Sequence, residues 1–321
     1  MAQSAPALGI ADHAATTLAA CRHDILVGLT APQKRLAPKY LYDERGSQLF
    51  DEICSLPEYY ATRTELGLLR ANASEIAALI GPHAEVVELG AGSSLKARLL
   101  LGSLTQPASY LPVDISAAYL AQQAAEVAAA YPRVTVQPVL ADFTLPFTLP
   151  RQLTREQTLL FFPGSTIGNL SRPHAAALLS SLAQRIGGRL LLGVDACHDA
   201  PVLHPAYNDA RGVTAAFNLN VLARLNRELG ANFDLAGFEH DAVYDEDHTR
   251  IEMRLVSRRT QVVTIGGIAI PFRAGEYIVS EHSHKYAPPE IAALAASAGW
   301  RLSRRWLDDD ARFCVYFFCA S

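Results

Sequence analysis

Short apolar runs alternate with amphipathic stretches between residues 85 and 195. Each run has the length of a buried strand, and glycine, proline or a polar residue bounds it. Helical patterns such as SLKARLLLGSL and AAYLAQQAAEVAAAY lie between the runs. This alternation predicts βαβ units and a parallel sheet with helices on both faces. The predicted strands are AEVVELGAG, ASYLPVDIS, VTVQPVLADF, QTLLFFPGSTIGNL and GRLLLGVDA.

After Asp195 the pattern changes. YNDARGVTAAFNLNVLARLNRELG is helical in pattern, and AVYDEDHTRIEMRLVSRRTQVVTIGGIAIPFRAGEYIVSEHSHKY alternates as an antiparallel meander would. PPEIAALAASAGW predicts a helix with proline at its start, and RRWLDDDARFCVYFFCA predicts strands that return to the main sheet. We therefore expect a doubly wound α/β domain over 61–195 plus 287–321. An inserted α+β substrate-binding subdomain would comprise 1–60 plus 196–286, with a polar, Ala-rich arm over about the first 22 residues.

Composition limits the class of partner. The chain has 321 residues, half of them hydrophobic, with a formal net charge of −4 and no basic block, which disfavours nucleic acid. Its five cysteines are scattered, which predicts free thiols in a reducing compartment. No signal peptide or membrane-length apolar run is evident. We expect a soluble, cytoplasmic protein without a membrane partner, and a monomer, although no sequence pattern sets the oligomeric state.

The first candidate chemistry is the glycine turn in VVELGAGSSLKARLL. A glycine-rich turn between strand and helix lets the backbone approach a ligand, although it can also be only a tight turn. Leu95 occupies the third glycine position of the dinucleotide fingerprint, which weakens a pyrophosphate interpretation. Asp114 and Asp142 follow the next two strands, where each alone could be a helix N-cap. Together they favour a positively charged nucleoside, S-adenosylmethionine, over NAD.

Other catalytic patterns are missing from the sequence. PGSTIG has the wrong spacing for a nucleophile elbow, and neither H-E-x-x-H nor a P-loop lysine pattern occurs.

Long motifs resemble one enzyme family, from about Lys39 to the C-terminus. The family is that of the L-histidine Nα-methyltransferases of ergothioneine biosynthesis. The resemblance implies a Rossmann-like class I S-adenosylmethionine-dependent methyltransferase sheet. It also implies three successive methyl transfers to the α-amine of histidine, which give the betaine hercynine. The motifs are KYLYDERGSQLFDEICSLPEYYATRTELGLL, VVELGAGSSLKARLLL, LPVDIS, ADF, FFPGSTIGNL, YNDARGVTAAFNLNVLARLN and EHSHKY.

The same resemblance implies roles for individual residues. Asn169 and Tyr207 would hold the substrate carboxylate. Tyr42 would lie near the substrate amine as the catalytic residue, and Met253 beside the imidazole. The residues that would read the imidazole are Tyr59, Glu281 and Ser283. The donor-binding positions would be Gly90, Lys96, Asp114, Asp142 and Phe143.

The stretch EYIVSEHSHKY tests the substrate part of this interpretation. Side chains alternate along a strand, so Glu281, Ser283 and Lys285 would share one face. His282 and His284 would share the other, but the sequence places no further metal ligand beside them, so we expect no metal. Glu281 could accept from one ring N–H, while the Ser283 hydroxyl could donate to or accept from the other nitrogen. The alternative is that Glu281 lies exposed at a strand edge.

Three rival functions remain open on the sequence. A family member could act on another aromatic amino acid such as tryptophan, but an indole offers one N–H and no second ring nitrogen for Ser283. A methyltransferase for an unrelated small amine or carboxylate would bind the donor and ignore histidine. A regulatory protein would bind the donor without releasing S-adenosylhomocysteine.

Overall fold

The alternating apolar runs fold into a large mixed sheet. The computed structural model of the chain describes residues 11–12 and 18–321. The strands in these ranges are β1 Ala11–Asp12, β2 Glu85–Leu89, β3 Ser109–Asp114, β4 Thr135–Val136, β5 Val139–Leu140, β6 Thr158–Phe162, β7 Arg189–Asp195, β8 Phe238–Asp245, β9 Arg250–Ser257, β10 Gln261–Ile265, β11 Ile268–Phe272, β12 Tyr277–His284, β13 Trp300–Leu307 and β14 Phe313–Ala320.

Helices pack on the main sheet and on the three-stranded sheet described below. Within the described ranges, 3₁₀ turns also occur at Pro38–Leu41, Thr166–Asn169 and Leu235–Gly237. The α-helices are α1 Leu18–Thr30, α2 Glu44–Cys54, α3 Tyr60–Ala71, α4 Ala73–Ile80, α5 Leu95–Ser103, α6 Ala117–Ala130, α7 Arg172–Arg185, α8 Ala200–Tyr207, α9 Val213–Leu229 and α10 Pro288–Ser297.

The main sheet contains nine of the described strands, in the order β1-β5-β3-β2-β6-β7-β14-β13, with β4 paired to β3. Neighbours are parallel from β1 to β7, and β14 and β13 add an antiparallel edge. The chain runs from β2 to β3 on one side, while β6 pairs with the other side of β2. Such a switch point opens a crevice at the carboxyl ends of the strands, which is the usual place for a ligand.

Both faces of this sheet are buried, as the parallel pattern predicts. Val86 and Leu159 pack in one hydrophobic cluster, and their neighbours Val87 and Leu160 pack in another on the opposite face. Because side chains alternate along a strand, each continuous apolar run supplies both clusters. The predicted α/β sheet is confirmed, including the return of β13 and β14 to it.

The predicted third strand, VTVQPVLADF, is wrong as a single element. It forms β4 and β5, which are two residues long each and are separated by Gln137 and Pro138. The Gln137 N–H still donates to the Tyr110 carbonyl, but Pro138 has no N–H to continue the ladder. Pairing with β3 resumes at Val139, opposite Val113.

The predicted antiparallel meander is also corrected. β8, β9 and β12 form a three-stranded sheet in the order β12-β9-β8, while β10 and β11 pair only with each other there. A strand has two edges, and β8 and β12 occupy both edges of β9, so β10 cannot pair with it. β10 and β11 form a hairpin, and its turn consists of Gly266 and Gly267, both at positive φ.

The structure describes only part of the N-terminal arm that the sequence predicts. Most of the predicted arm lies outside the described residues, and α1 begins at Leu18. β1 pairs in parallel with β5 of the main sheet, although the sequence assigned residues 1–60 to the substrate-binding subdomain. The division into two domains stays a prediction. No helix in the described ranges is long and apolar enough to cross a membrane.

Candidate active site

One cavity of about 630 Å³ lies at the carboxyl ends of the parallel strands, where the main sheet, the three-stranded sheet and α2 meet. The turn after β2 and the loops after β3, β5 and β6 form one part of its wall. Tyr42, Tyr207 and strand β12 form another part. All of the site residues predicted from the sequence line this cavity except Met253: Tyr42, Tyr59, Gly90, Lys96, Asp114, Asp142, Phe143, Asn169, Tyr207, Glu281 and Ser283.

The glycine turn after β2 brings backbone to the cavity wall. Gly90 has φ of 68°, a left-handed conformation that side-chain-bearing residues rarely adopt. A Cβ atom placed there would lie 3.5 Å from both Phe143 Cε1 and Thr166 Cγ2. The backbone conformation, more than a lack of space, therefore requires glycine at this position.

Two carboxylates stand beside this turn. Asp114 Oδ1 accepts from the Ser116 N–H at 2.8 Å, and burial raises the pKa of Asp114 to about 6. Asp142 Oδ1 accepts from the Thr144 N–H at 3.0 Å. Its Oδ2 accepts from Lys39 Nζ at 3.1 Å. Both carboxylates thus keep lone pairs for the hydroxyl and amino groups of a nucleoside.

Lys96 enters the same wall from α5 and is tied to α3. Its Nζ lies 2.5 Å from Glu65 Oε2, and both side chains are largely buried. Glu65 also accepts from the Gly164 N–H at 2.9 Å, so one carboxylate joins α3, α5 and the loop after β6. This loop leads into the 3₁₀ turn that carries Asn169.

Glu281 projects from β12 into the opposite part of the cavity and is 7% exposed. The Asn169 amide donates to its Oε2 at 3.3 Å, and the Tyr42 hydroxyl forms a second hydrogen bond with it. Burial raises the pKa of Glu281 to about 7, although Lys285 and Tyr42 oppose that shift. The carboxylate is therefore poised to change charge near neutral pH.

Ser283 lies two residues further along β12 and belongs to a buried polar network. Its Oγ lies 2.9 Å from the Tyr207 hydroxyl. Lys285 Nζ donates to Ser283 Oγ at 3.0 Å, to the Tyr207 hydroxyl at 2.9 Å and to Asp195 Oδ2 at 2.7 Å. The Tyr60 hydroxyl donates to Asp195 Oδ1 at 2.7 Å. The network connects β12, α8, β7 and α3 behind the cavity wall.

Aromatic rings enclose the space in front of these polar groups. Tyr42 packs edge-on against Phe50 and Phe217, with ring centroids 5.6 and 5.4 Å apart. Tyr59 packs edge-on against Tyr207 at 6.1 Å. Burial raises the pKa values of Tyr42 and Tyr59, so both hydroxyls stay protonated at neutral pH. Their rings give this half of the cavity an electron-rich wall.

Met253 is not on the cavity wall. It is the Cα partner of Glu281 across β9 and β12, but it is only 2% exposed and belongs to the hydrophobic core. Its predicted place beside the imidazole stays a prediction. The burial of Met253 in the hydrophobic core depends on tertiary packing, which a sequence motif does not contain.

The histidines of the EHSHKY motif lie away from the cavity. His282 Nε2 is 3.0 Å from Glu252 Oε2, and His284 contacts the His282 ring edge-on. Burial lowers the pKa of both rings, that of His284 to about 4. In the described part of the chain, no three His, Cys, Asp or Glu side chains gather as a metal site would require.

Sequence reasoning missed several polar residues in the cavity wall or bonded to it. Lys285 was assigned to the face of Glu281 and Ser283 but given no role. Asp195 ends a parallel strand as Asp114 does, so the rule that singled out Asp114 also applied to it. Nothing in the helical pattern of α3 indicated that Tyr60 would bond to Asp195 or Glu65 to Lys96.

Comparison with known proteins places the chain in a family. Residues 21–320 match the family described as "Histidine-specific methyltransferase, SAM-dependent". The chain is 43% identical to the histidine N-alpha-methyltransferase of Mycolicibacterium smegmatis, over 94% of this chain and 95% of that protein. The enzyme of the same name from Mycobacterium tuberculosis is 42% identical, over 92% and 93%. Ergothioneine biosynthesis protein 1 of Neurospora crassa is 32% identical, over 85% of this chain and 32% of that longer protein. The chain therefore belongs to the histidine-specific, S-adenosylmethionine-dependent methyltransferases.

Proposed function

We propose that this protein transfers methyl groups from S-adenosylmethionine to the α-amine of L-histidine. Three successive transfers would give hercynine, in a step of ergothioneine biosynthesis. The observation that carries the proposal is that a single cavity joins two recognition elements. One is the glycine turn with its carboxylates, and the other is the Glu281–Ser283 pair on β12.

The donor half of the cavity suits S-adenosylmethionine in its shape and charge. The Gly90 turn allows the backbone to approach the donor closely. The Asp114 carboxylate, which has lone pairs left, can accept hydrogen bonds from ribose hydroxyls. Asp142 and Phe143, which line the cavity after β5, would contact the base. The sulfonium of the donor supplies a methyl group that is already activated for transfer. The chain itself then has to place an amine lone pair in line with that methyl group.

The substrate half suits an imidazole ring. Glu281 in its anionic form can accept from one ring N–H, and the hydroxyl of Ser283 can contact the other ring nitrogen. A side chain without two ring nitrogens would leave one of these buried groups unpaired. That loss costs about 1–3 kcal/mol, and more for a charged group. The pair therefore favours histidine over tryptophan, which remains the alternative substrate.

The amine and carboxylate of the amino acid would lie between the two halves. Asn169, whose amide also hydrogen-bonds to Glu281 and Tyr42, would hold the substrate carboxylate, with Tyr207 beside it. The Tyr42 hydroxyl, which stays protonated, can accept a hydrogen bond from the substrate ammonium and orient it. It is not a strong base, so the proton lost from the amine would pass to water.

The setting of the reaction is also part of the proposal. We propose that the enzyme works as a cytoplasmic monomer on a small molecule, without nucleic acid or membrane partners. The net charge of −4 without basic blocks supports the first exclusion. Cys54, Cys197, Cys314 and Cys319 form no disulfide, which fits a reducing compartment.

The proposal predicts a fixed stoichiometry of donor consumption. With limiting L-histidine and excess S-adenosylmethionine, we expect about three S-adenosylhomocysteine molecules released per histidine. Other amino acids, including tryptophan, should be consumed at least about 100-fold more slowly, because they leave Glu281 or Ser283 unpaired. Turnover of tryptophan at the rate of histidine would support the alternative substrate. Donor binding without any S-adenosylhomocysteine release would indicate a regulatory protein.

A further inference from the structure

Lys285 is a fully buried ammonium directly behind the Glu281–Ser283 pair. An ammonium group has three hydrogens to donate and accepts none. Among the described residues, those three hydrogens meet Asp195, Tyr207 and Ser283 at 2.7, 2.9 and 3.0 Å. Asp195 neutralises the charge, and its carboxylate raises the pKa of Lys285 against the effect of burial, so the group is an ammonium at neutral pH.

This arrangement restricts the two hydroxyl groups that it contacts. Ser283 Oγ and the Tyr207 hydroxyl each accept one hydrogen from Lys285, and they are also hydrogen-bonded to each other at 2.9 Å. Because a phenol donates more strongly than an aliphatic hydroxyl, we take Tyr207 to donate to Ser283 and not to the substrate carboxylate. Ser283 Oγ then accepts two hydrogen bonds, one from Tyr207 and one from Lys285. Its own hydrogen must find a different acceptor. Both residues line the cavity, so that hydrogen points toward a ligand.

We propose that Lys285 is a positioning residue that makes the Ser283–Tyr207 pair a hydrogen-bond donor toward the substrate ring. The cavity then offers one acceptor, Glu281, and one donor, the hydroxyl pair. An imidazole fits with one N–H facing Glu281 and one unprotonated nitrogen facing the hydroxyls. An imidazolium or a pyrrole ring would place a hydrogen against that donor. The inference rests on the proposed function, because it specifies how the histidine ring is selected.

Other charged and titratable groups also surround Lys285, but none of them replaces one of its three hydrogen bonds. Glu281 lies in β12, which ends one residue before Lys285, and it acts on the Lys285 ammonium through space. The titratable groups that face it from the packed elements are Asp195 of β7, Cys197 after β7, Tyr207 of α8, Tyr244 of β8 and Glu281 of β12.

The test compares kcat/KM for L-histidine with kcat/KM for two pyrrole analogues of histidine. These analogues carry an N–H at one ring position and a C–H at the other. In the wild type we expect histidine to be preferred by on the order of 100-fold, because the free hydroxyl hydrogen meets a C–H in the analogue. Lys285→Met frees both hydroxyls to reorient, and the preference should fall to about 10-fold or less. A merely structural lysine would lower both rates and leave their ratio unchanged.

Two further variants keep the test decisive. Lys34 also pairs with a carboxylate, that of Glu276, but does not line the cavity, so Lys34→Met should keep the wild-type ratio. Lys285→Met could fail to fold because Asp195 is left unpaired. In that case the double variant Lys285→Met, Asp195→Asn, which removes both charges, should show the same fall in the preference for histidine.

The outcomes separate this inference from the proposed function. A wild-type preference below about threefold, or an unchanged ratio in the folded variant, would overturn the role of Lys285 while histidine methylation stands. A wild-type protein that does not methylate histidine at all would overturn the proposed function, and the ring-selecting role with it.

Discussion

Glu281 shows how much a single residue depends on its surroundings. It is buried on β12, with the Asn169 amide and the Tyr42 hydroxyl as hydrogen-bond partners and Lys285 nearby. Burial penalises the charged form more than these neighbours favour it, which raises its pKa to about 7. The carboxyl group is therefore neutral below pH 7 and anionic above it, and only the anion accepts strongly from a ring N–H.

This shift predicts a pH-dependent affinity for histidine. Between pH 6 and pH 8 the anionic fraction of Glu281 rises from about a tenth to about nine-tenths. We expect histidine to bind about tenfold more tightly across this range than the titration of its own ring explains. Calorimetric titration in the presence of S-adenosylhomocysteine measures this. In Glu281→Gln the extra dependence should vanish, leaving the ring titration near pH 6.5. An equal pH dependence in the two proteins would contradict the assignment.

At the residue scale, the sequence predicted positions better than partners. Strand alternation placed Glu281 and Ser283 on one face, and both line the cavity. Alternation also placed Lys285 on that face, but its contacts to Asp195 and Tyr207 join elements far apart in the chain. Such contacts depend on tertiary packing, which no local pattern contains. The same holds for Met253, whose burial in the hydrophobic core depends on its neighbours.

At the scale of elements, the turn from β2 to α5 determines how the donor half is built. Gly90 adopts positive φ at the end of a buried strand, and α5 begins at Leu95. A residue with a Cβ pays about 1–2 kcal/mol to adopt this conformation, so it would tend to move the backbone out of register with Asp114.

We therefore expect Gly90→Ala to weaken S-adenosylmethionine binding by about tenfold or more, because the strained turn shifts. Gly67→Ala is the matched control. Gly67 lies exposed within α3, at negative φ and with no atom near the added Cβ. That change should leave donor affinity unaltered and stabilise the helix by about 0.5–1 kcal/mol. Donor titration and thermal unfolding of both variants check this. Equal donor affinity in Gly90→Ala and wild type would show that the turn does not contact the donor.

Element types were predictable where the apolar pattern was long and regular. The buried runs of β2, β3, β6 and β7 and the proline-led helix α10 follow directly from sequence. The exceptions have local physical causes. Pro138 interrupts the third strand. β10 cannot pair with β9, because β8 and β12 already occupy both edges of β9. Pairing order in an antiparallel region is a property of the assembled sheet rather than of any one strand.

At the scale of the whole molecule, the cavity joins residues that are far apart in the chain. The main sheet contributes the glycine turn and the carboxylates at its switch point, and β12 contributes Glu281 and Ser283. Tyr42 and the aromatic rings around it close the space between them. Donor and acceptor can therefore meet in one cavity, among buried polar groups that select the substrate.

The measurement that tests this account most directly is mass spectrometry of L-histidine after incubation with S-adenosylmethionine and the wild-type protein, with Glu281→Ala in parallel. The account predicts a gain of three methyl groups, which fragmentation locates on the α-amine. It predicts that Glu281→Ala loses most of this product, because the ring N–H loses its acceptor. Unmodified histidine with the wild type, or methyl groups on the ring nitrogens, would contradict it.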